Sequence, residues 1–296
     1  MAQSTNEEHQ FVVELLTTLR EERFSPSGWW HFLQRSWQMS CATANANSEL
    51  KRSWLSTTLL IGLLTAALLL MTDIFEGSHA AFHLLPGLVF CVAWQQNDLF
   101  WHLGMNRHGP TGKLRQKIGL ANVLTGWRGL GASFLLGRLI GGLTTPSRLT
   151  LTVLLTGIVT DILDGQVARY AGTQSKLGQI IDAETDFCLY LAITIILIQN
   201  NTLAPWIGIV ILLRFCLPFL AVLGSYFLFA QPVRFGSTIW GKSAGFAQCL
   251  YFLILLAPPQ LAMLTRPINF PLLMITLVLL IIAPLAQIMP HIRHRL

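Results

Sequence analysis

The chain has 296 residues, of which 53% are hydrophobic and only 11% charged, with a formal net charge of +6. Soluble domains carry about 25% charged residues, so a soluble enzyme is excluded. Disorder is excluded too, because it needs low hydrophobicity and high charge. A mean hydropathy of +0.55 points to a multi-span membrane protein. The five cysteines, at 41, 91, 188, 216 and 249, form no CxxC pair, which argues against a disulfide framework or a thiolate metal site.

Residues 1–53 hold eleven charged side chains and read as a cytoplasmic or interfacial segment. Val12, Leu15, Leu16 and Leu19 recur at helical spacing and predict one amphipathic helix, broken at Pro26 and Gly28. Trp29, Trp30, Phe32, Leu33 and Trp37 then crowd a second short helix suited to the headgroup layer. No secretory signal is expected: the first apolar run begins too far into the chain.

A membrane-crossing helix needs about 20 mostly apolar residues. Eight such spans are predicted, at about 54–72, 80–95, 118–142, 149–168, 179–199, 205–230, 243–258 and 270–289. With both termini in the cytoplasm, fifteen Lys and Arg fall on the cytoplasmic side and only Arg148 and Arg266 on the other. Arg128, Arg138 and Arg214 fall within spans. This positive-inside asymmetry accounts for the basic charge without nucleic acid, leaving membrane lipid as its partner. The expected fold is therefore an all-α polytopic membrane helix bundle. Its organisation is an N-terminal segment over 1–53, two additional spans and a basic loop over 54–110, and a six-helix membrane core over 111–296.

The carboxylates are distributed unevenly. Beyond Asp98 the only acids are Asp161, Asp164, Asp182, Glu184 and Asp186, all within 26 residues. Ionisable groups at membrane depth are costly unless paired or hydrated, so they mark a functional site. Asp161 and Asp164 share a helix face, with Gly165 and Ala168 leaving a notch on it where a ligand can approach the backbone. On the next helix Gly178, Asp182 and Asp186 form a stripe. Glu184 lies about 200° round from Asp182, at ~100° per residue, and is expected to face away as a solvated or structural acid. An antiparallel hairpin turning near Gly172 and Thr173 sets Asp161 level with Asp186 and Gly165 with Asp182. Four converging carboxylates would repel one another and take up protons. Hard divalent cations resolve this, and two of them suit a phosphoryl substrate. Arg169 adds a fixed cation for phosphate.

Read from Asp161, the sequence DILDGQVARYAGTQSKLGQIIDAETD resembles, without a gap, the signature D-x2-D-G-x2-A-R-x8-G-x3-D-x3-D of the CDP-alcohol phosphatidyltransferases. Asp161, Asp164, Gly165, Ala168, Arg169, Gly178, Asp182 and Asp186 fill its eight positions. The six spans from about residue 118 look like that family's six-helix core. Asn122, Thr125 and Arg128 are similar to an Asn-x-x-Thr…Arg element on the first core helix, although a Pro that often follows it is missing. Gly241, Lys242 and Gln248 are similar to a GK-x-x-T-x-x-Q stretch of the phosphatidylglycerophosphate synthases, with Gly245 in the Thr position.

The resemblance implies transfer of a substituted phosphoryl group from a CDP-linked donor to an alcohol, with release of CMP. It implies two metal ions, Mg2+ or Mn2+, among the four aspartates. By position, Asp161, Asp164 and Asp182 would hold the metals and the donor diphosphate. Asp186 would complete the site and act as general base. Gly165, Ala168 and Gly178 would leave room for the CDP moiety, and Arg169 would contact its phosphates. Arg128 and Arg214 are candidates to hold an acceptor phosphate, with Asn122, Thr125 and Lys242 in support. The expected donor is CDP-diacylglycerol and the expected acceptor a small polar alcohol such as glycerol 3-phosphate. A CDP-choline- or CDP-ethanolamine-type enzyme acting on diacylglycerol is the near alternative. A membrane prenyltransferase would place its two Asp motifs far apart in sequence, and a divalent-cation transporter would need acids on several spans. The family is commonly homodimeric.

Overall fold

The structure, a computed structural model, describes residues 17, 19, 21–22, 24–108, 112–229 and 239–293. The amphipathic helix expected around Val12, Leu15 and Leu16 lies outside them. Among the described residues the long helices are α1 (Pro26–Ala46), α2 (Ser48–Glu76), α3 (Ser78–Trp101), α4 (Leu120–Ile140), α5 (Ser147–Tyr170), α6 (Lys176–Gln199), α7 (Pro205–Phe229), α8 (Ile239–Leu255) and α9 (Ala262–Arg293). Each expected span falls on one of α2–α9, and no strand is formed among the described residues. The protein is all-α.

Among the described residues, three segments are long and apolar enough to cross a membrane by length and composition: Ser48–Glu76, Ser147–Tyr170 and Pro259–Ala286. Their side chains are mostly exposed, as are Leu59, Leu63, Phe75 and Phe82. Apolar side chains on an outer surface fit a lipid solvent rather than water. This is an integral membrane protein.

The helical turn around residue 21 stops ahead of Pro26, as expected, and Pro26 itself begins the next helix. Its fixed φ and missing N–H suit a first helical position, and Ser25 caps the turn by accepting from Gly28 N–H at 3.0 Å. The crowded aromatic helix consequently runs on to Ala46. Trp101 Nε1 donates to Ser36 Oγ at 2.7 Å, tying α1 to the end of α3.

The chain divides into two compact units: residues 1–144 with 156–189, and residues 145–155 with 190–296. In the first, α2, α3 and α4 pack side by side. The α3–α4 contact is backbone on backbone. A Cβ on Gly137 would sit 2.8 Å from Leu88 N, and one on Gly141 2.3 Å from His83 O. Glycines four apart are the way membrane helices reach such proximity. One polar tie reinforces this contact, and a second joins α4 to the end of α2. Gln95 Nε2 donates to Gly126 O at 2.9 Å. Arg138, only 2% exposed, donates to both Glu76 carboxylate oxygens at 2.7 and 2.8 Å and to Thr144 O at 2.7 Å.

A core of Ala44, Leu50, Leu99, Leu103, Ile118, Leu177 and Ile181 joins α1, α2 and α3 to the start of α6. It anchors the helix that carries two of the signature acids against the two helices that precede the six-helix region. In the second unit, α9 packs along α8 and α7, and Tyr190 stacks on Phe215 and Phe252 with ring centroids 5.6 Å apart.

Candidate active site

The site grows from a turn. α5 ends in a left-handed glycine, Gly172, with φ of +58°. Thr173 N–H donates to Ala168 O at 2.8 Å, the long bond of a Schellman cap. Ser175 then caps α6 by accepting from Gly178 N–H at 3.1 Å, a standard N-cap contact. Arg115 Nη2 pins the turn by donating to Gly172 O at 2.6 Å. The hairpin expected at Gly172 and Thr173 is thus present, and it folds α6 back along α5.

The four signature aspartates meet around one cation, the guanidinium of Arg128. Its Nη1 donates to Asp161 Oδ1 at 2.7 Å and lies 3.5 Å from Asp164 Oδ2. Its Nη2 donates to Asp182 Oδ1, and its Nε lies 3.2 Å from Asp186 Oδ1. The Arg128 side chain is 1% exposed, whereas those of Asp161 and Asp182 are 54% and 44% exposed. The acids therefore form an open rim around a buried positive floor. Asp164 is the buried member and accepts from Thr125 Oγ1 at 2.8 Å. One carboxylate oxygen from each of Asp161, Asp182 and Asp186 lies within 4.8 Å of the others.

The small residues of the signature have visible uses. A Cβ on Gly178 would stand 2.8 Å from Asn122 Oδ1, so this glycine admits the Asn122 side chain from α4. At Gly165 the nearest atom to a Cβ is Arg169 Nη1, at 3.2 Å. Arg169 thus folds back one turn over the Gly165 notch, with its side chain exposed beside Ala168.

A family model for the CDP-alcohol phosphatidyltransferases matches residues 118–283, more than half of the chain. The chain belongs to the CDP-alcohol phosphatidyltransferase family. It is accordingly a transferase of substituted phosphate groups, acting with a CDP-alcohol donor and an alcohol acceptor in lipid synthesis. No curated protein and no solved structure matches it.

The family is generally dependent on divalent metal. The residues fit such a group: the donors are all carboxylate oxygens, which hard cations prefer, and they already surround a positive charge. In a chain of this family, Asp161, Asp164, Asp182 and Asp186 are the residues that could hold the ions.

Sequence reasoning placed Arg128 on the right element but toward an acceptor phosphate. The structure instead puts its guanidinium among all four aspartates. Arg128 is three residues after Thr125, one turn along the same helix face, but that Thr125 bonds Asp164 is seen only in the structure. Glu184 faces away from Asp182, as expected, and meets Asp98 and His102. Arg214 and Lys242 belong to the second unit. There Arg214 donates to Gln248 Oε1 at 2.9 Å and to Gly241 O at 3.4 Å. The departure at Gly245 has a local reason: a Cβ there would lie 2.7 Å from Arg214 Nη2.

Proposed function

We propose that this enzyme transfers a phosphatidyl group from CDP-diacylglycerol to a small polar alcohol such as glycerol 3-phosphate. The observation that carries the proposal is the meeting of Asp161, Asp164, Asp182 and Asp186 around one buried cationic position. The partial GK…Q stretch at Gly241, Lys242 and Gln248 favours the glycerol 3-phosphate branch.

In this reading Asp161, Asp164 and Asp182 would hold two divalent ions, Mg2+ or Mn2+, with Asp186 completing the set. Bound there, the ions would neutralise the donor diphosphate and the departing CMP oxygen. Arg128 stays beneath the acids and offsets their mutual repulsion, so that they are already gathered when substrate arrives. Asp186 takes the proton of the acceptor hydroxyl as its oxygen attacks the phosphatidyl phosphorus. The phosphorus–oxygen bond to CMP breaks, and CMP leaves with that electron pair. Arg169 swings from Gly165 to the donor phosphates, freeing the notch formed by Gly165, Ala168 and Gly178 for the nucleotide.

The proposed topology places the Gly172 turn and both termini in the cytoplasm, where CDP substrates are made. We assign residues 1–53 to membrane-surface docking or regulation, 54–110 to two additional spans and 111–296 to the catalytic core. The experiment is an assay of CMP release from CDP-diacylglycerol with a panel of alcohols. Acceptor-dependent release with glycerol 3-phosphate supports the reading. Release only from CDP-choline or CDP-ethanolamine with diacylglycerol replaces it with the other branch.

A further inference from the structure

A second group of metal-ligating side chains lies outside the four-aspartate site. Asp98 and His102 stand one helical turn apart where α3 ends, and Glu184 reaches them from α6. One donor atom from each lies within 4.8 Å of the others. Asp98 Oδ1 and His102 Nδ1 are 3.3 Å apart, and the Asp98 and Glu184 carboxyls are hydrogen-bonded to each other. Four-coordinate zinc with bonds of about 2.0–2.1 Å holds its donors about 3.4 Å apart, so one pair is already at ligating separation.

The partners of this group differ from those of the first. The four signature aspartates enclose the Arg128 guanidinium. Here, by contrast, the charged groups acting on Asp98 are His102 and Glu184, and those acting on Glu184 are Asp98 and His102. No Arg or Lys acts on these carboxyls, and their mutual hydrogen bond means that they share a proton, which a divalent ion bound between them would displace. Space is present as well. Asp98 and Glu184 line a cavity of about 550 Å3 whose wall also includes Gln95, Gln96 and Cys188, leaving room for water to complete a coordination shell. The imidazole sets this group apart from the all-carboxylate site: one nitrogen and two oxygens suit Zn2+ or a similar borderline ion.

We propose that Asp98, His102 and Glu184 form a second divalent-metal site, selective for Zn2+-like ions, that fastens the additional helix α3 to the catalytic helix α6. Glu184 lies between Asp182 and Asp186 in sequence and on the opposite face of the same helix. A metal there fixes the position of α6 from behind without touching substrate. The site goes beyond the proposed reaction, and its test does not depend on turnover.

The experiment uses the full chain in detergent, in a D161N/D182N background that cripples the four-aspartate site. After incubation with Zn2+ and desalting, bound zinc is counted per chain, and melting is followed with and without Zn2+. One retained Zn2+ per D161N/D182N chain, lost on adding H102Q and again on adding D98N, is the expected result. A Zn2+-dependent rise in Tm should vanish in the same variants. Co2+ provides a readout that needs no further substitution. Strong visible absorption, typical of fewer than six ligands, supports the site, and the weak spectrum of a six-coordinate all-oxygen ion overturns it. Zinc content unchanged by H102Q, or no retained zinc and no rise in Tm in D161N/D182N, also overturns it.

Discussion

At the scale of single residues, Arg128 decides how the acid cluster survives without metal. A buried cation shared by four carboxylates is costly to remove, because the charges left behind repel one another. R128Q should lower stability in EDTA by about 3 kcal/mol, and Mn2+ should restore much of that loss. Thermal melting with and without Mn2+ measures both quantities; equal destabilisation in the two conditions would contradict this role. Gly178 makes a second test. Its position against Asn122 Oδ1 means that G178A gains helix propensity of about 1 kcal/mol but displaces Asn122. G178A should reduce CMP release at least tenfold, and adding N122A should recover part of the stability that G178A loses. Such coupling is the mark of direct contact. The acids were legible in the sequence because spacing alone puts Asp161 with Asp164, and Asp182 with Asp186, on shared faces. The pairing of Arg128 with them was not, because helix spacing says nothing about how deep a long side chain from a third helix reaches. The Asp98–His102–Glu184 group was hidden for a similar reason: it joins helices more than 80 residues apart in sequence.

Among the elements, the α5–α6 hairpin was readable from Gly172, whose left-handed conformation ends one helix just before Ser175 caps the next. The break ahead of α1 is present, and α1 starts at Pro26 rather than at the aromatic run from Trp29. Pro disrupts a helix interior but suits its first turn, and Ser25 ahead of Pro26 was the cue. The α3–α4 interface also passed unnoticed, although Gly137 and Gly141 carry the four-residue spacing of close membrane helix pairs. G141L should break this contact, since its first side-chain carbon would overlap His83 O. A loss of about 1–3 kcal/mol, typical of overpacking, is expected in thermal melting, while L139A two residues away should have a smaller effect. E76Q should be more damaging. It removes the carboxylate charge from a guanidinium that is 2% exposed, and a buried pair broken this way loses about 3–5 kcal/mol. The partial exposure of Glu76 places the expected value at the low end.

For the molecule as a whole, hydropathy located α2–α9 because lipid demands long apolar helices with internally satisfied backbones. Among the described residues, three helical segments meet the stricter test of length, hydropathy and few charges. The others carry the polar side chains that build the site, such as Asn122, Thr125 and Arg128 on α4 and Asp182 and Asp186 on α6. Sidedness rests on the fifteen-to-two distribution of basic residues. Reporter fusions at residues 1 and 296 should both signal from the cytoplasm; opposite signals would contradict the topology. The family resemblance begins near residue 118 and is silent about the preceding helices. Their contacts give them a role: the Ala44–Ile181 core, the Gln95 tie and the Glu76–Arg138 pair bind them to the helices of the site.

The central claim is that Asp161, Asp164, Asp182 and Asp186 carry out phosphatidyl transfer from a CDP-linked lipid. The most direct measurement is CMP release by the purified chain from CDP-diacylglycerol with Mg2+ or Mn2+ and glycerol 3-phosphate, run beside D186N. The account predicts acceptor-dependent release that falls at least 100-fold in D186N, a loss in line with removing a general base, while the variant still folds. Equal release by D186N and the unaltered chain would contradict it.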